Sequence, residues 1–377
     1  MIRSLTLENY RGFPRFELHD LGRVNLIVGT NNAGKTSVLE ALSILEAPGE
    51  INSIWSTLTR RGEDFEESDS RRIVRQVDIR RLFHGHEVVI GNRVRIGAAT
   101  ERGVDQFTAT IAEPRPDPHA LQPGLFEPFE PGLEAEPSRA ALELFWQHPP
   151  SGPNVGVVLN LTRRGGILAD SMRLAGPGTG PRIPVRFITA ASLSPEVVID
   201  LFEEVVLTPS EDFVLEALQI IDPSIERIAT SGTERRRSSP SRMNFRGGLL
   251  VRCKGTRDRI PIGSMGDGIW RMLGLALTLA LTQGGILLLD EIDTGLHYSV
   301  MEDMWKLVHR TAKNHKTQVF ATTHSRDCTE SLAVVCRDSV SENSEVTIQR
   351  VERGKARSVA FTEQEIRAAA ERGMEVR

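Results

Sequence analysis

The residues best suited to chemistry lie in four short runs near the two ends of the chain. Gly29-Thr30-Asn31-Asn32-Ala33-Gly34-Lys35-Thr36 fits the spacing G-x-x-x-x-G-K-[ST], with Ser37 next. Two glycines so placed let the backbone curl until successive N–H groups face one anion. A helix beginning there adds the positive end of its dipole. A lysine at this position neutralises β- and γ-phosphates, and the following hydroxyl is a ligand for Mg2+. The implied cofactors are ATP and Mg2+, with Gly29, Asn31, Asn32, Ala33, Gly34, Lys35, Thr36 and Ser37 at the nucleotide and Thr36 at the metal.

In the second run, Gly285 to Glu291, four apolar residues end in two carboxylates, Asp290 and Glu291. Alone, this is an ordinary strand exit. With a phosphate loop in the same chain it reads as a buried strand delivering acids to the carboxyl edge of a sheet, where ligands bind. Asp290 then holds Mg2+, mainly through water, and Glu291 polarises the attacking water as general base.

The third run, Gly263-Ser264-Met265-Gly266-Asp267-Gly268, opens a helix predicted over Ile269 to Leu281. Small residues and a serine at a helix start make an anion site or a plain serine cap. One chain needs only one phosphate site per nucleotide. Two antiparallel copies could each offer Ser264 and Gly266 to the γ-phosphate held by the other's Lys35. The fourth run, Gln318 to Ser325, is an apolar strand ending in His324, whose imidazole can hydrogen-bond a γ-phosphate and sense its loss.

Elements to position these groups are legible around them. Ile2 to Leu7, Arg15 to Leu18 and the apolar Val24 to Val28 read as strands, and Lys35 to Leu45 has helical apolar spacing. Further strands are expected at Val155 to Leu161, Val185 to Ile188 and Leu249 to Cys253, and helices at Pro195 to Val206 and Glu211 to Ile221. From Gly263 the pattern runs helix, strand, helix, strand, helix. Residues 113–153 are rich in proline, glutamate and glycine, which marks a surface excursion. The expected domains are an N-terminal lobe over 1–100, an inserted region over 101–245 and a C-terminal lobe over 246–377.

Bulk composition is that of a soluble globular protein. Forty-six basic and 50 acidic side chains leave a net charge of −4, so the chain is no global polycation. Three cysteines without C-x-x-C spacing argue against a disulfide framework or a zinc knuckle. No run approaches the roughly 18 apolar residues of a membrane span, and the start lacks a signal-peptide pattern, so a cytoplasmic location without a membrane partner is expected.

The order of the four runs resembles that of ATP-binding cassette ATPases. Ile2 to Phe13 (IRSLTLENYRGF), Val24 to Leu42 (VNLIVGTNNAGKTSVLEAL) and Leu287 to Trp305 (LLLDEIDTGLHYSVMEDMW) resemble the SMC/RecF-like branch. Within it they look most like OLD-like prokaryotic AAA family ATPases. The resemblance implies an α/β P-loop NTPase with an ABC-type head: a mixed sheet flanked by helices, antiparallel N-terminal strands and an inserted helical and irregular region. It puts the D-loop at Asp293 to His297. The 53 residues after His324 offer no acidic cluster of a TOPRIM nuclease domain, and no long coiled coil is present. Gln76 and Gln106 are the candidates for the family's glutamine loop.

The resemblance implies an ATP-dependent head-to-head homodimer, open to larger assembly, that regulates a separately encoded nuclease or toxin, commonly in phage defence. The alternative is a RecF-like DNA-binding repair or recombination ATPase. Its support is Arg235 to Arg259, where nine basic residues meet one acid, Asp258. Such a stretch suits nucleic-acid phosphates or pairs with the acidic excursion. A transporter ATPase fits the long insertion poorly, and a Ser264–His324 hydrolase lacks the G-x-S-x-G turn.

Overall fold

The computed structural model describes residues 1–69, 72–114, 140–148, 154–162, 164–169, 183–230, 248–338 and 345–372. Its centre is a six-stranded sheet in the order β11 (Val185–Ile188), β15 (Ile286–Leu289), β16 (Gln318–Thr322), β3 (Val24–Val28), β17 (Val346–Arg350) and β18 (Val359–Thr362). The first five strands are parallel and β18 is antiparallel. β3, β15 and β16 are buried at every position, which explains their unbroken apolar runs.

Alternation along those strands divides the interior in two. Leu287, Leu289, Val319 and Ala321 face one core, while Ile286, Leu288 and Phe320 face the other. The first core packs helices α3 (Pro195–Val205), α4 (Ser210–Gln219), α5 (Asp267–Leu281), α6 (Tyr298–Asn314), α7 (Arg326–Asp338) and α8 (Glu363–Glu371). The second packs α1 (Lys35–Leu45) and α2 (Ile51–Thr59) against an antiparallel sheet. That sheet runs β2 (Phe13–Leu18), β1 (Ile2–Tyr10), β6 (Arg93–Thr100), β7 (Gly103–Ala112), β8 (Ala141–Gln147), β9 (Val155–Asn160).

Two small sheets complete the described chain: β10 (Gly166–Leu168), β5 (Arg72–Asp78) and β4 (Asp64–Asp69), and β12 (Ile225–Thr230), β13 (Leu249–Cys253) and β14 (Ile260–Pro261). The boundaries expected from composition cut across this pairing. β6 and β7 form one hairpin across residues 100 and 101, and β11, within 101–245, is a strand of the parallel sheet. Composition follows solvent exposure, whereas strand pairing joins segments far apart in sequence. Most of the Pro/Glu-rich stretch, and Arg235 to Arg246 of the basic stretch, lie outside the described residues.

α1 shows how the fold serves its N-terminus. Eight of its 11 residues are buried, including Glu40, because it is enclosed between the two sheets. Its far end is tied to the antiparallel sheet by Trp146, whose Nε1–H donates to the carbonyl of Ile44 at 3.0 Å. At its middle Glu40 receives Arg11 at 3.0 Å and Arg61 at 2.7 Å, and Arg11 also pairs with Glu63 at 2.9 Å. Among the described residues no helix is long and apolar enough to cross a membrane, and the three cysteines are buried free thiols.

Candidate active site

β3 ends at Val28, and the loop from Gly29 to α1 is shaped by close approach from behind. Gly29 has φ +141°, and a Cβ there would lie 2.2 Å from the carbonyl oxygen of Val351. Gly34, the N-cap of α1, has φ +102°, and its Cβ would meet Phe13 Cζ at 2.3 Å. Both positions therefore exclude side chains by contact as well as by backbone conformation. Asn31 and Asn32 are exposed on the loop crest, Ala33 is buried beneath it, and Asn32 has φ +61°. Lys35 Nζ donates to the carbonyls of Gly29 at 2.8 Å and Thr30 at 3.0 Å. Partial burial lowers its pKa, opposed by the carboxylates of Glu291 and Asp290.

The order β15-β16-β3 places the histidine strand between the acid strand and the phosphate-loop strand. Thr36 Oγ1 consequently donates to Asp290, at 3.0 Å to Oδ1 and 3.2 Å to Oδ2, across 254 residues of sequence. Thr322, at the end of β16, donates to Asp290 Oδ1 at 2.7 Å and accepts the Glu291 N–H at 2.9 Å. Glu291 has a left-handed backbone, φ +49°, uncommon for a side chain of that size. Its carboxylate accepts the Thr294 hydroxyl at 3.2 Å, and His324 Nδ1 lies 3.8 Å from its other oxygen. Glu291 and His324 are 39% and 53% exposed, so both are open to a ligand at the loop.

Thr36, Lys35, Asp290, Glu291 and His324 thus form one constellation at the carboxyl edge of the parallel sheet. Ser37 differs in that its hydroxyl is buried and accepts from Arg61 at 3.1 Å, so the side chain serves the ion-pair cluster behind α1. Ser264 and Gly266 stand apart, exposed at the start of α5, and no described hydrogen bond joins them to the phosphate loop. Gly266 has φ +94° and ψ 168°, a conformation suited to glycine. The Asp293 to His297 loop lies against this helix start: a Cβ on Gly268 would come within 3.0 Å of the Gly295 carbonyl oxygen.

Thr322, Thr294 and Arg271 were not singled out by spacing, although the first falls inside the His324 run. Arg271, on α5, donates to the main-chain carbonyls of Asp290 at 2.7 Å and Glu291 at 2.8 Å. Arg350 at the end of β17, with Val351, Glu352 and Arg353 beyond it, joins Gly29, Thr30, Asn31 and His324 around an open pocket of about 730 Å3. Neither glutamine-loop candidate reaches the site through a described hydrogen bond. Gln76 is buried and accepts from Thr162 at 2.9 Å, while Gln106 donates to Thr108 at 3.3 Å.

Comparison with known proteins bears on the whole arrangement. An ATP/GTP phosphatase of Helicobacter pylori is 21% identical over 368 residues, covering 90% of this chain and 89% of its own. The DNA replication and repair protein RecF of Bacillus velezensis is 37% identical over 79 residues, 21% of each chain, so the match spans about a fifth of that relative. Among solved structures, the Smc head domain with an extended coiled coil bound to the C-terminal domain of ScpA, from Pyrococcus furiosus, has a TM-score of 0.46. It is 12% identical and covers 98% of both chains. The family model for the AAA ATPase domain matches residues 1–119 and 196–329, about two thirds of the sequence. Carrying that match together with a phosphate loop hydrogen-bonded to a carboxylate strand, the chain belongs to the AAA ATPase domain family.

Proposed function

We propose that this AAA-family ATPase is a cytoplasmic switch that binds ATP and Mg2+, closes head to head on a second copy, and opens again on hydrolysis. The observation that carries the reading is the convergence of the Thr36 hydroxyl and the Asp290 carboxylate, 3.0 Å apart at the mouth of the glycine loop. Hard oxygen donors so placed fit Mg2+. The loop fits phosphate, with Lys35 above it and the α1 N-terminus beneath.

In this reading Thr36 and Asp290 hold the metal, which supplies charge neutralisation on the β- and γ-oxygens. Lys35 exchanges its carbonyl partners for phosphate. Glu291, held by Thr294 and open to solvent, orients the attacking water and takes its proton. His324, beside Glu291, contacts the γ-phosphate and loses that contact after hydrolysis. Ser264 and Gly266 sit away from their own chain's loop, which suits contact with nucleotide on a second copy. The resemblance to OLD-like ATPases supports a separately encoded nuclease or toxin as the regulated effector, in prokaryotic defence against phage.

The test is the mass of Glu291→Gln by light scattering, with and without ATP and Mg2+. The expected result is a doubling with ATP, since binding survives while hydrolysis stalls. An unchanged mass overturns the switch. A second run with DNA addresses the RecF-like alternative, for which a further, salt-sensitive increase in mass is the signature.

A further inference from the structure

Arg271 lies on α5, five residues beyond Gly266. Its neighbours Ile269, Trp270, Met272, Leu273 and Leu275 are buried apolar side chains that attach the helix to the core. Arg271 is equally buried, at 5% exposure, yet no described salt bridge joins it to a carboxylate. Its guanidinium donates to three main-chain carbonyls, those of Thr189, Asp290 and Glu291. Burying a cation is costly, and attaching a helix to a sheet does not require one. What the planar fork adds is direction, because it fixes the peptide planes on either side of Glu291.

Those planes are the ones that need fixing. Glu291 adopts φ +49°, a conformation that persists only where its surroundings over-determine it. Its N–H is held by Thr322 on the sheet, and its carbonyl by Arg271 on the helix. The general base is therefore strung between two elements, and one of them starts at Ser264 and Gly266. A shift of α5 along its axis would reach the Glu291 carbonyl through a single side chain.

We propose that Arg271 is a positioning residue that couples the start of α5 to the backbone of Glu291, so that contact of this helix with the second copy's nucleotide sets the general base of its own chain. The inference rests on the head-to-head reading above. It makes the two sites of a dimer interdependent: each chain's base is aligned by the nucleotide that the other chain holds. Thr189, at the end of β11, supplies the fixed point against which the fork is braced.

The test uses the full chain in two arms. Arg271→Lys keeps the charge and loses the fork. It is expected to bind a fluorescent ATP analogue within about threefold of wild type, while kcat falls about 10- to 100-fold with KM little changed. A lower melting temperature with kcat unchanged for the folded protein would show a structural role only and overturn the proposal. The second arm leaves Arg271 intact and stands even if that variant fails to fold. Mixed dimers of wild type with Lys35→Ala hold one nucleotide, which engages the helix of the chain that cannot use it. Their rate is expected about 10-fold below half that of wild type. A rate of half the wild-type value overturns the coupling. Glu291→Gln run alongside separates the two levels: wild-type hydrolysis by that variant would mean that the underlying reading of the base has failed.

Discussion

Thr322 joins the two acids of the site through one hydroxyl, donating to the Asp290 carboxylate at 2.7 Å and accepting the Glu291 N–H at 2.9 Å. Asp290 also accepts from Thr36 on the phosphate loop. Asp290 and Glu291, the proposed metal ligand and general base, are thus both held by the last residue of β16, and a change at Thr322 reaches both.

Thr322→Val, similar in shape without the hydroxyl, is expected to lower kcat about 10- to 100-fold with nucleotide affinity nearly unchanged. It should also cost about 1–3 kcal/mol of stability, because the Glu291 N–H loses its acceptor. Steady-state kinetics beside a thermal melt checks both. A variant with wild-type kcat would remove Thr322 from the site.

Gly34→Ala should destabilise the chain by about 2–4 kcal/mol, through positive-φ strain and collision with the Phe13 ring. In a Phe13→Leu background the collision is relieved and the cost of Gly34→Ala should fall by about 1–2 kcal/mol. Denaturant unfolding of the four proteins measures that coupling. No coupling would mean that the loop, and not the ring, gives way.

The buried Arg11 holds Glu40 and Glu63 beside α1. Burial raises the Glu40 pKa, with Arg11 and Arg61 opposing. Arg11→Met leaves Glu40 with Arg61 alone and is expected to cost about 3–5 kcal/mol. Adding Glu40→Met should recover part of that loss, since the uncompensated charge goes with it. Chemical denaturation of both variants decides, and a double variant less stable than the single one would contradict the account.

A pH effect is expected where α1 meets the antiparallel sheet. Burial, followed by the nearby Asp105 carboxylate, pushes Glu46 up to about 7, and a hydrogen bond to Asp105 raises His148. Both groups bind protons more tightly in the folded chain than in the unfolded one, so their contribution to stability declines as pH rises. For Glu46 the decline falls between its ordinary 4.5 and about 7. Glu46→Gln should therefore be more stable than wild type above pH 7, by about 1–2 kcal/mol for this partly exposed group, and no different below pH 4.5. Melting temperatures across that range test the sign, and a parallel displacement of the two curves would refute it.

The strands and helix that form the phosphate loop were legible because burial on both faces writes itself as a continuous apolar run, as in Val24 to Val28 and Ile286 to Leu289. Lys35 to Leu45 was legible from its helical spacing. Arg271 was not, since an arginine in an apolar helix has no spacing that reveals three carbonyls waiting for it. Thr322 was not legible either, because its role arises only when β16 lies beside β15. The place of β7, β8 and β9 was missed for a related reason. They extend the antiparallel sheet outward from β6, each pairing with the next, and the pattern within a strand does not say which sheet it extends.

The seating of α1 has a mechanical consequence. The loop ahead of it rests on the parallel sheet, where Gly29 abuts Val351, while the helix is gripped at its start by Phe13 of β2 and at its end by Trp146 of β8. The pocket for phosphate is thus the seam between two bodies, and tilting one sheet against the other would widen or pinch it. A protein that grasped only the outer strands could prise that seam open from the far side, loosening the nucleotide without ever touching it.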